Sequence, residues 1–341
     1  MATSQYLEYN FNSFAHFGTC YLGANEDGIY SLDDADDDAG VDIAAYFVTP
    51  TTDFGTFSYK NFIRAYFGYE TAGTLAFSMK ADGGSFEAFT LTPTLTGNLQ
   101  SGDDLDLNPA TRGRYWEYKL ANVAGCDFSI DSIVLIPTTR KRTNLFTGML
   151  GLNNKTDPSR IKRDPETGIQ EQAEIINMDI DDSLRGSRRK GYTKRNSVNS
   201  HSLWSNGDVC YYCSGTSLYQ LNSDWTSTGL RSGITAAAPM SFAFLDGKTY
   251  YTNGTENGVI YGGVSYSWVG SAYVGSETIW SISVTPPVGD LLQVFMGYML
   301  IADGQTLYWS MPFSPSWYRL SRDWVQFESD ITMIEPVEDG L

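Results

Sequence analysis

Four stretches of this chain repeat one pattern, and that pattern restricts the fold more than any bulk property does. FAHFGTCYLGANEDGIYSL (14–32), LWSNGDVCYYCSGTSLYQL (203–221), FAFLDGKTYYTNGTENGVIY (242–261) and VFMGYMLIADGQTLYWS (294–310) each read as strand, glycine turn, strand, second turn, strand. Gly207, Gly215 and Tyr219 are spaced almost as Gly297, Gly304 and Tyr308 are, and Gly207, Gly247 and Gly297 follow at intervals of 40 and 50 residues. Periods of about 40–50 residues holding several short strands are the signature of propeller blades. An ordinary antiparallel meander yields similar ribbons, so the two readings stand side by side. Four blades is the low end for a closed ring, and the set is expected to be partial, completed by another chain or by further residues. The terminal ITMIEPVEDGL ends in a glycine-containing turn of the sort that opens hairpins elsewhere. Either further residues or a partner strand is expected at that edge, because an uncovered sheet edge is a liability.

Residues 41–143 have a different texture. Apolar side chains alternate in TLAFSMKA (Leu75, Phe77, Met79), in YWEYKLANV (Trp116, Tyr118, Leu120) and in FSIDSIVLIP, with Gly, Asn and Asp turns between them. Period-two alternation in about six strands over such a length predicts a β-sandwich. Residues 144–198 read as a polar linker and a charged hairpin: TTRKRTNLF opens a stretch rich in Asn, Asp, Pro and Lys, and polar segments of that kind tend to connect domains. ETGIQEQAEII predicts two helical turns at most. The division is therefore a blade-like hairpin with an acidic turn at 1–40, a sandwich at 41–143, the linker and hairpin at 144–198, and propeller-like repeats at 199–341. The fold class is all-β, a β-sandwich domain plus propeller-type antiparallel blades.

Composition agrees and narrows the functional classes. Hydrophobic residues at 42% with only 18% charged residues exclude disorder, and 14% aromatics with 33 glycines suit strands and tight turns. A formal net charge of -17 gives a surface that repels nucleic acid and anionic membranes on average. The apolar run LLQVFMGYMLIA (291–302) is about half of the ~20 residues a membrane helix needs. The N-terminal segment MATSQYLEYN has neither the basic nor the apolar region of a secretory signal.

Residues that carry chemistry are scarce. His16 and His201 are the only histidines, which leaves no multi-histidine metal site. His201 stands beside Ser202, but a catalytic triad also needs a placed acid and oxyanion donors. Cys210 and Cys213 form a C-x-x-C without a second ligand pair, and at positions i and i+3 of a strand the two thiols point to opposite faces, as structural cysteines would. In LDDADDDAGVD, Asp34, Asp36 and Asp38 alternate like calcium ligands, yet Gly40 falls one place late and Ala45 stands where a bidentate glutamate belongs. A solvated acidic turn is the better reading. No cofactor and no catalytic or metal residue is assigned, and a non-enzymatic protein is expected.

The remaining feature is IINMDIDDSLRGSRRKGYTKR (175–195), where acids run into six basic residues. IINMDI alternates as a strand, DDSLRGS supplies a turn, and RRKGYTKR returns, giving a hairpin whose arms carry opposite charge. Acid and base can satisfy each other across the strands. Arg185, Arg188, Arg189, Lys190, Lys194 and Arg195 are the candidate residues for docking an acidic protein neighbour. A solvated face and phosphate contact are the alternatives.

From about residue 144 onward, FTGMLGLNNKTDPSRI, AEIINMDIDDSLRGSRRKGYT, HSLWSNGDVCYY, MSFAFLDGKTYYTNG and ADGQTLYWSMPFSPSWYRL make the chain resemble virion structural proteins of tailed bacteriophages. Residues 1–143 resemble the closing part of another such protein through FNSFAHFGTCYLGANEDGIYSLDDADDDAG, FIRAYFGYETAG and RGRYWEYKLANVAGCDFSIDSIVLIP. The succession of the two parts in one chain departs from the order such families lead one to expect. The resemblance implies a short-tail nozzle, hub or adaptor in the virion, assembled in the host bacterial cytoplasm, with several copies (sixfold symmetry is the expectation) around the genome-ejection channel. Its implied partners are other copies of itself and other tail or portal-proximal proteins, with DNA passing transiently and unbound and no membrane span. Two rivals belong to other classes: a carbohydrate-binding host-attachment protein, which exposed Trp225, Trp268 or Trp317 on one face would favour, and a glycan-cleaving tail enzyme.

Overall fold

The computed structural model describes residues 4–56, 58–95, 97, 99–108, 110–138, 143–162, 164, 169–270 and 283–336, with the backbone alone at 33, 34, 143 and 144. Among them the chain is nearly all β, built from several antiparallel sheets, and its one helical turn is a single 3-10 turn at Pro158–Arg160 capped by Asp157. It divides into two compact units. One comprises Met1–Tyr9 and Asp33–Thr193, the other Asn10–Leu32 and Lys194–Leu341.

In the first unit two sheets share one core. Glu174–Ile176, Tyr46–Val48, Trp116–Asn122, Leu75–Ala81 and Glu87–Leu91 form one, in that order; Met178–Ile180, Gly186–Arg188, Phe128–Pro137, Phe62–Thr71 and Ser101–Asp106 form the other. The alternation seen in the sequence is realised: Leu75, Phe77, Met79, Trp116, Tyr118 and Leu120 are all buried on one side of their sheet. Phe67 of one sheet meets Phe77 of the other edge to face at 5.1 Å. In Phe128–Pro137 the alternation slips at Asp131, because a register shift between Ile130 and Ser132 returns Ile133 and Leu135 to the core. Each such large side chain contributes about 1.5–3 kcal/mol by burial.

Residues 144–193 are integral to this unit and 194–198 to the other, so the segment is not a linker. Thr143–Phe146 pairs with Phe128–Pro137, and Met149–Leu152 runs parallel to Gln170–Gln172, a departure from the antiparallel rule. The residues expected to give two helical turns instead form Gln170–Gln172 and Glu174–Ile176, while 165–168 lie outside the described residues, as do 139–142 of the basic stretch. IINMDI is not one strand but two in different sheets, and the break is Asn177. Its φ of 54° is a left-handed conformation that asparagine tolerates better than most residues.

The second unit holds the four ribbons, each in its own antiparallel meander. Ser13–Phe17, Cys20–Asn25 and Gly28–Ala35 take Gly191–Asn196 as their fourth strand; the last two of these strands run on into the other unit. The first ribbon thus belongs with the repeats at 199–341, while the acidic turn that follows it belongs to the first unit. At Gly28 the edge strand leaves no room for a side chain: a Cβ there would lie 2.0 Å from the Asn196 carbonyl oxygen. His201–Ser205, Cys210–Ser214, Ser217–Leu221 and Ser227–Ser232 form the second meander, and Ser241–Leu245, Lys248–Thr252, Asn257–Tyr261 and Val264–Tyr266 the third. In the fourth, Leu291–Phe295, Tyr298–Asp303 and Thr306–Met311 lead to an edge shared by Ser314–Tyr318 and Trp324–Gln326. Residues 337–341, the terminal glycine turn, lie outside the described residues.

Successive meanders share buried clusters. Leu22, Ala24 and Ile29 meet Leu203, Cys210, Tyr212 and Leu221; Tyr211, Cys213 and Leu218 meet Phe242, Tyr251 and Ile260; Ala243, Tyr250 and Val259 meet Leu292, Met299 and Ile301. Among the described residues no such cluster joins the first meander to the fourth. The leading strands are also linked by serine hydroxyls. Ser13 Oγ accepts from Leu203 N–H (3.0 Å), Ser202 Oγ from Met240 N–H (2.8 Å) and Ser241 Oγ from Leu292 N–H (2.9 Å).

Candidate functional site

The two charge clusters of the sequence meet each other in the first unit, Asp38 with Arg189 across 151 positions of the chain. The hairpin forms as expected at its turn: Asp181 Oδ1 accepts from the N–H groups of Ser183 (2.9 Å) and Arg185 (3.0 Å) and from the Ser183 hydroxyl (2.7 Å). The hydroxyl bond leads the set of donors that lowers the pKa of this carboxyl below the ordinary range. Met178–Ile180 then pairs with Gly186–Arg188. Cross-strand neutralisation does not follow, because Asp179 faces Ser187 and the acids that take up the arginines come from other strands.

Arg189 is 1% exposed. Its five N–H donors are all engaged: Nε with Asn177 Oδ1 (3.1 Å), Nη1 with Asp38 Oδ1 (2.8 Å) and the Lys190 carbonyl (3.0 Å), Nη2 with Asp38 Oδ2 (2.5 Å) and the Leu7 carbonyl (3.1 Å). Tyr6 and Tyr9 lie 5.6 and 5.3 Å from the guanidinium carbon. Burial works against its charge, and the hydrogen bonds and field of Asp38 outweigh it, leaving its pKa above the ordinary value. Arg188, also buried, reaches the Asp36 carbonyl (2.8 Å), Asp36 Oδ1 (3.3 Å) and Asp127 Oδ1 (3.4 Å). Arg185 pairs with Glu70 (3.1 Å) and Asp131 (2.6 Å).

The six residues singled out for docking are therefore split. Arg188 and Arg189 form a buried internal clamp instead of a docking surface, since both side chains are enclosed and ion-paired with Asp36, Asp127 and Asp38; Arg185 is half-buried and ion-paired. Lys190 is exposed, with Asp127 at 3.8 Å. In the second unit the exposed Lys194 and Arg195 lie against the rings of Tyr30 and Trp225, and Arg195 Nε donates to Ser31 Oγ (2.8 Å). The acidic turn is likewise not simply solvated. Asp38 is buried, and both Asp36 and Asp38 hold guanidinium groups where a calcium ion would need them; the Asp34 side chain lies outside the described residues. Asp127, Asp131, Glu70 and Asn177 complete this network, and isolated polar residues in or beside strands give no sequence signal for such a role.

The other candidates fall as follows. Cys210 and Cys213 are both buried, one with each neighbouring cluster, so the opposite-face expectation holds, and burial pushes both thiols up to about 12. His201 Nδ1 lies 2.9 Å from Ser202 Oγ, which also accepts the Met240 N–H. Its Nε2 is buried and faces no acid among the described residues, and burial lowers the histidine pKa. Ser202 sits at φ 54°. Of the three tryptophans, Trp268 is buried against Tyr250, Trp225 packs beside the first cluster of the second unit and Trp317 is half-buried, so none of them is a fully exposed ring. No family model and no curated protein matches the chain.

Proposed function

We propose that this chain is a non-enzymatic structural component of a bacteriophage tail, a nozzle, hub or adaptor, that assembles as a ring of copies around the genome-ejection channel. In this reading the first unit is a β-sandwich, and the second is a partial propeller of four blades completed by a neighbouring molecule. The resemblance of the two halves to tail proteins motivates it. The observation that carries it is the pair of unfinished ends in the run of meanders.

At the first end Phe14 and Tyr21 are exposed on the face turned away from the core. At the other, Met296 and Phe313 are 73% and 78% exposed on adjoining turns, where Phe313 N–H bonds the Gly297 carbonyl (2.7 Å). Large apolar side chains left exposed in groups are a feature of assembly surfaces. Electrostatics agrees. Inward-facing arginines leave less positive charge to grip phosphates in a chain of net charge -17, and a conduit for DNA needs weak phosphate contact.

Native mass spectrometry of the purified chain, followed by particle reconstruction with a tagged copy, tests the reading. The expected result is a closed oligomer that Phe313→Asp with Met296→Lys breaks into smaller species, and density for the tag at the tail. A protein that stays monomeric at all concentrations and is absent from virions would refute it.

A further inference from the structure

The first unit contains a cavity of about 520 Å³ whose wall has one unexplained feature, the side chain of Gln170. Gln170 is 4% exposed, lines the cavity, and its amide Nε2 has no hydrogen-bond partner among the described residues. A buried amide nitrogen without an acceptor is costly, and native proteins keep few of them. The volume lies within the range of small-molecule clefts and exceeds what one or two bridging waters fill.

The rest of the wall is prearranged. Thr52 and Trp116 exchange both backbone hydrogen bonds at 2.9 Å, which pins the loop after Tyr46–Val48 to its sheet. Asp53 Oδ1 accepts the Gly55 N–H (2.8 Å) and Thr52 Oγ1 accepts the Phe54 N–H (3.1 Å), so one carboxylate oxygen and the Thr52 hydroxyl proton remain for a ligand. Phe54, at φ 50°, packs partly on the core below, Lys162 is exposed opposite, and the ring of Tyr115 is 45% exposed at the mouth.

This set selects a ligand class. One ammonium and one carboxylate offset each other, which disfavours strongly charged ligands. Hydroxyl, amide and carboxylate groups disfavour an apolar one. A sugar ring presents neighbouring hydroxyls that donate and accept, and an apolar C–H face that suits an exposed tyrosine ring.

We infer that the cavity lined by Asp53, Tyr115, Lys162 and Gln170 is a saccharide-binding site. It is independent of ring assembly and is lined by none of the tryptophans that the sequence put forward.

The test uses the full chain with D-glucose, D-galactose and N-acetyl-D-glucosamine as probes, read by saturation-transfer NMR and by thermal melting. Transfer to the ring protons of at least one sugar is expected, and Gln170→Leu and Asp53→Asn each weaken binding about tenfold. Tyr115→Ala reduces transfer as well. Without sugar, Gln170→Leu melts no lower than the parent, because it removes an unpaired polar group; with sugar, its upward shift in Tm is lost. Should Gln170→Leu not fold, Asp53→Asn and Tyr115→Ala, both at less buried positions, decide the matter. Transfer from none of the three sugars, as in a cavity holding water only, or transfer unchanged in every folded variant, overturns the inference.

Discussion

Asp38 and Arg189 illustrate how burial changes the meaning of a charge. Either alone reads as a surface residue, and together they are buried, with both Asp38 carboxylate oxygens bonded to the guanidinium. Asp38→Ala leaves a buried guanidinium without its counter-charge and is expected to cost about 3–5 kcal/mol in denaturant unfolding. Asp38→Leu combined with Arg189→Met recovers much of that loss, since an apolar pair of similar bulk replaces a buried ion pair at little cost. The cysteines allow a pH prediction. Their folded pKa is held at about 12 against an ordinary 9.0, so between those values the unfolded chain sheds protons that the native chain keeps. Stability present below pH 9 is therefore lost as pH rises toward 12, and replacing both cysteines by alanine flattens that part of the melting-temperature profile. His201 acts at the other end: its lowered pKa confers stability above the ordinary 6.5 that disappears on acidification.

At the scale of elements, the serine links between leading strands give each meander a fixed register against the next. Ser202→Ala and Ser241→Ala each leave a backbone N–H without its acceptor, an expected cost of about 1–3 kcal/mol. Faster hydrogen exchange at the amides of Met240 and Leu292 is the readout that ties the loss to these bonds. Much at this scale was legible in the sequence. Leu75, Phe77 and Met79, or Trp116, Tyr118 and Leu120, announce their strands because a period of two survives wherever one face is buried. Asn177 and Asp131 were not legible. A single left-handed residue and a single bulge redirect the chain through backbone geometry, which leaves no trace in apolar spacing. The buried ends of Arg188 and Arg189 escaped for a related reason: their partners lie on strands distant in the chain, and charge runs by themselves look alike whether solvated or enclosed. The cavity at Gln170 was equally silent, since an inward-facing glutamine in QEQ alternates just as an outward-facing one does.

For the molecule as a whole, the second unit depends on both ends of the chain. Leu22 and Ile29 cover Cys210, whereas Cys213 is covered by the third meander. Leu22→Asp with Ile29→Asp is expected to open Cys210 to iodoacetamide and leave Cys213 protected, which peptide mass spectrometry distinguishes. Equal labelling of both would mean that the meanders melt together. The sequence revealed the four ribbons and the long stretch between the first and the rest, but not that the first packs with the second to form one unit, because repeat spacing records similarity and not adjacency. That separation bears on biosynthesis. On the ribosome, residues 10–32 emerge early, yet the surface they pack against is made only after Lys194 has been translated. During that interval Leu22 and Ile29 have no native covering, and a nascent chain in this state is a natural client for a holdase chaperone.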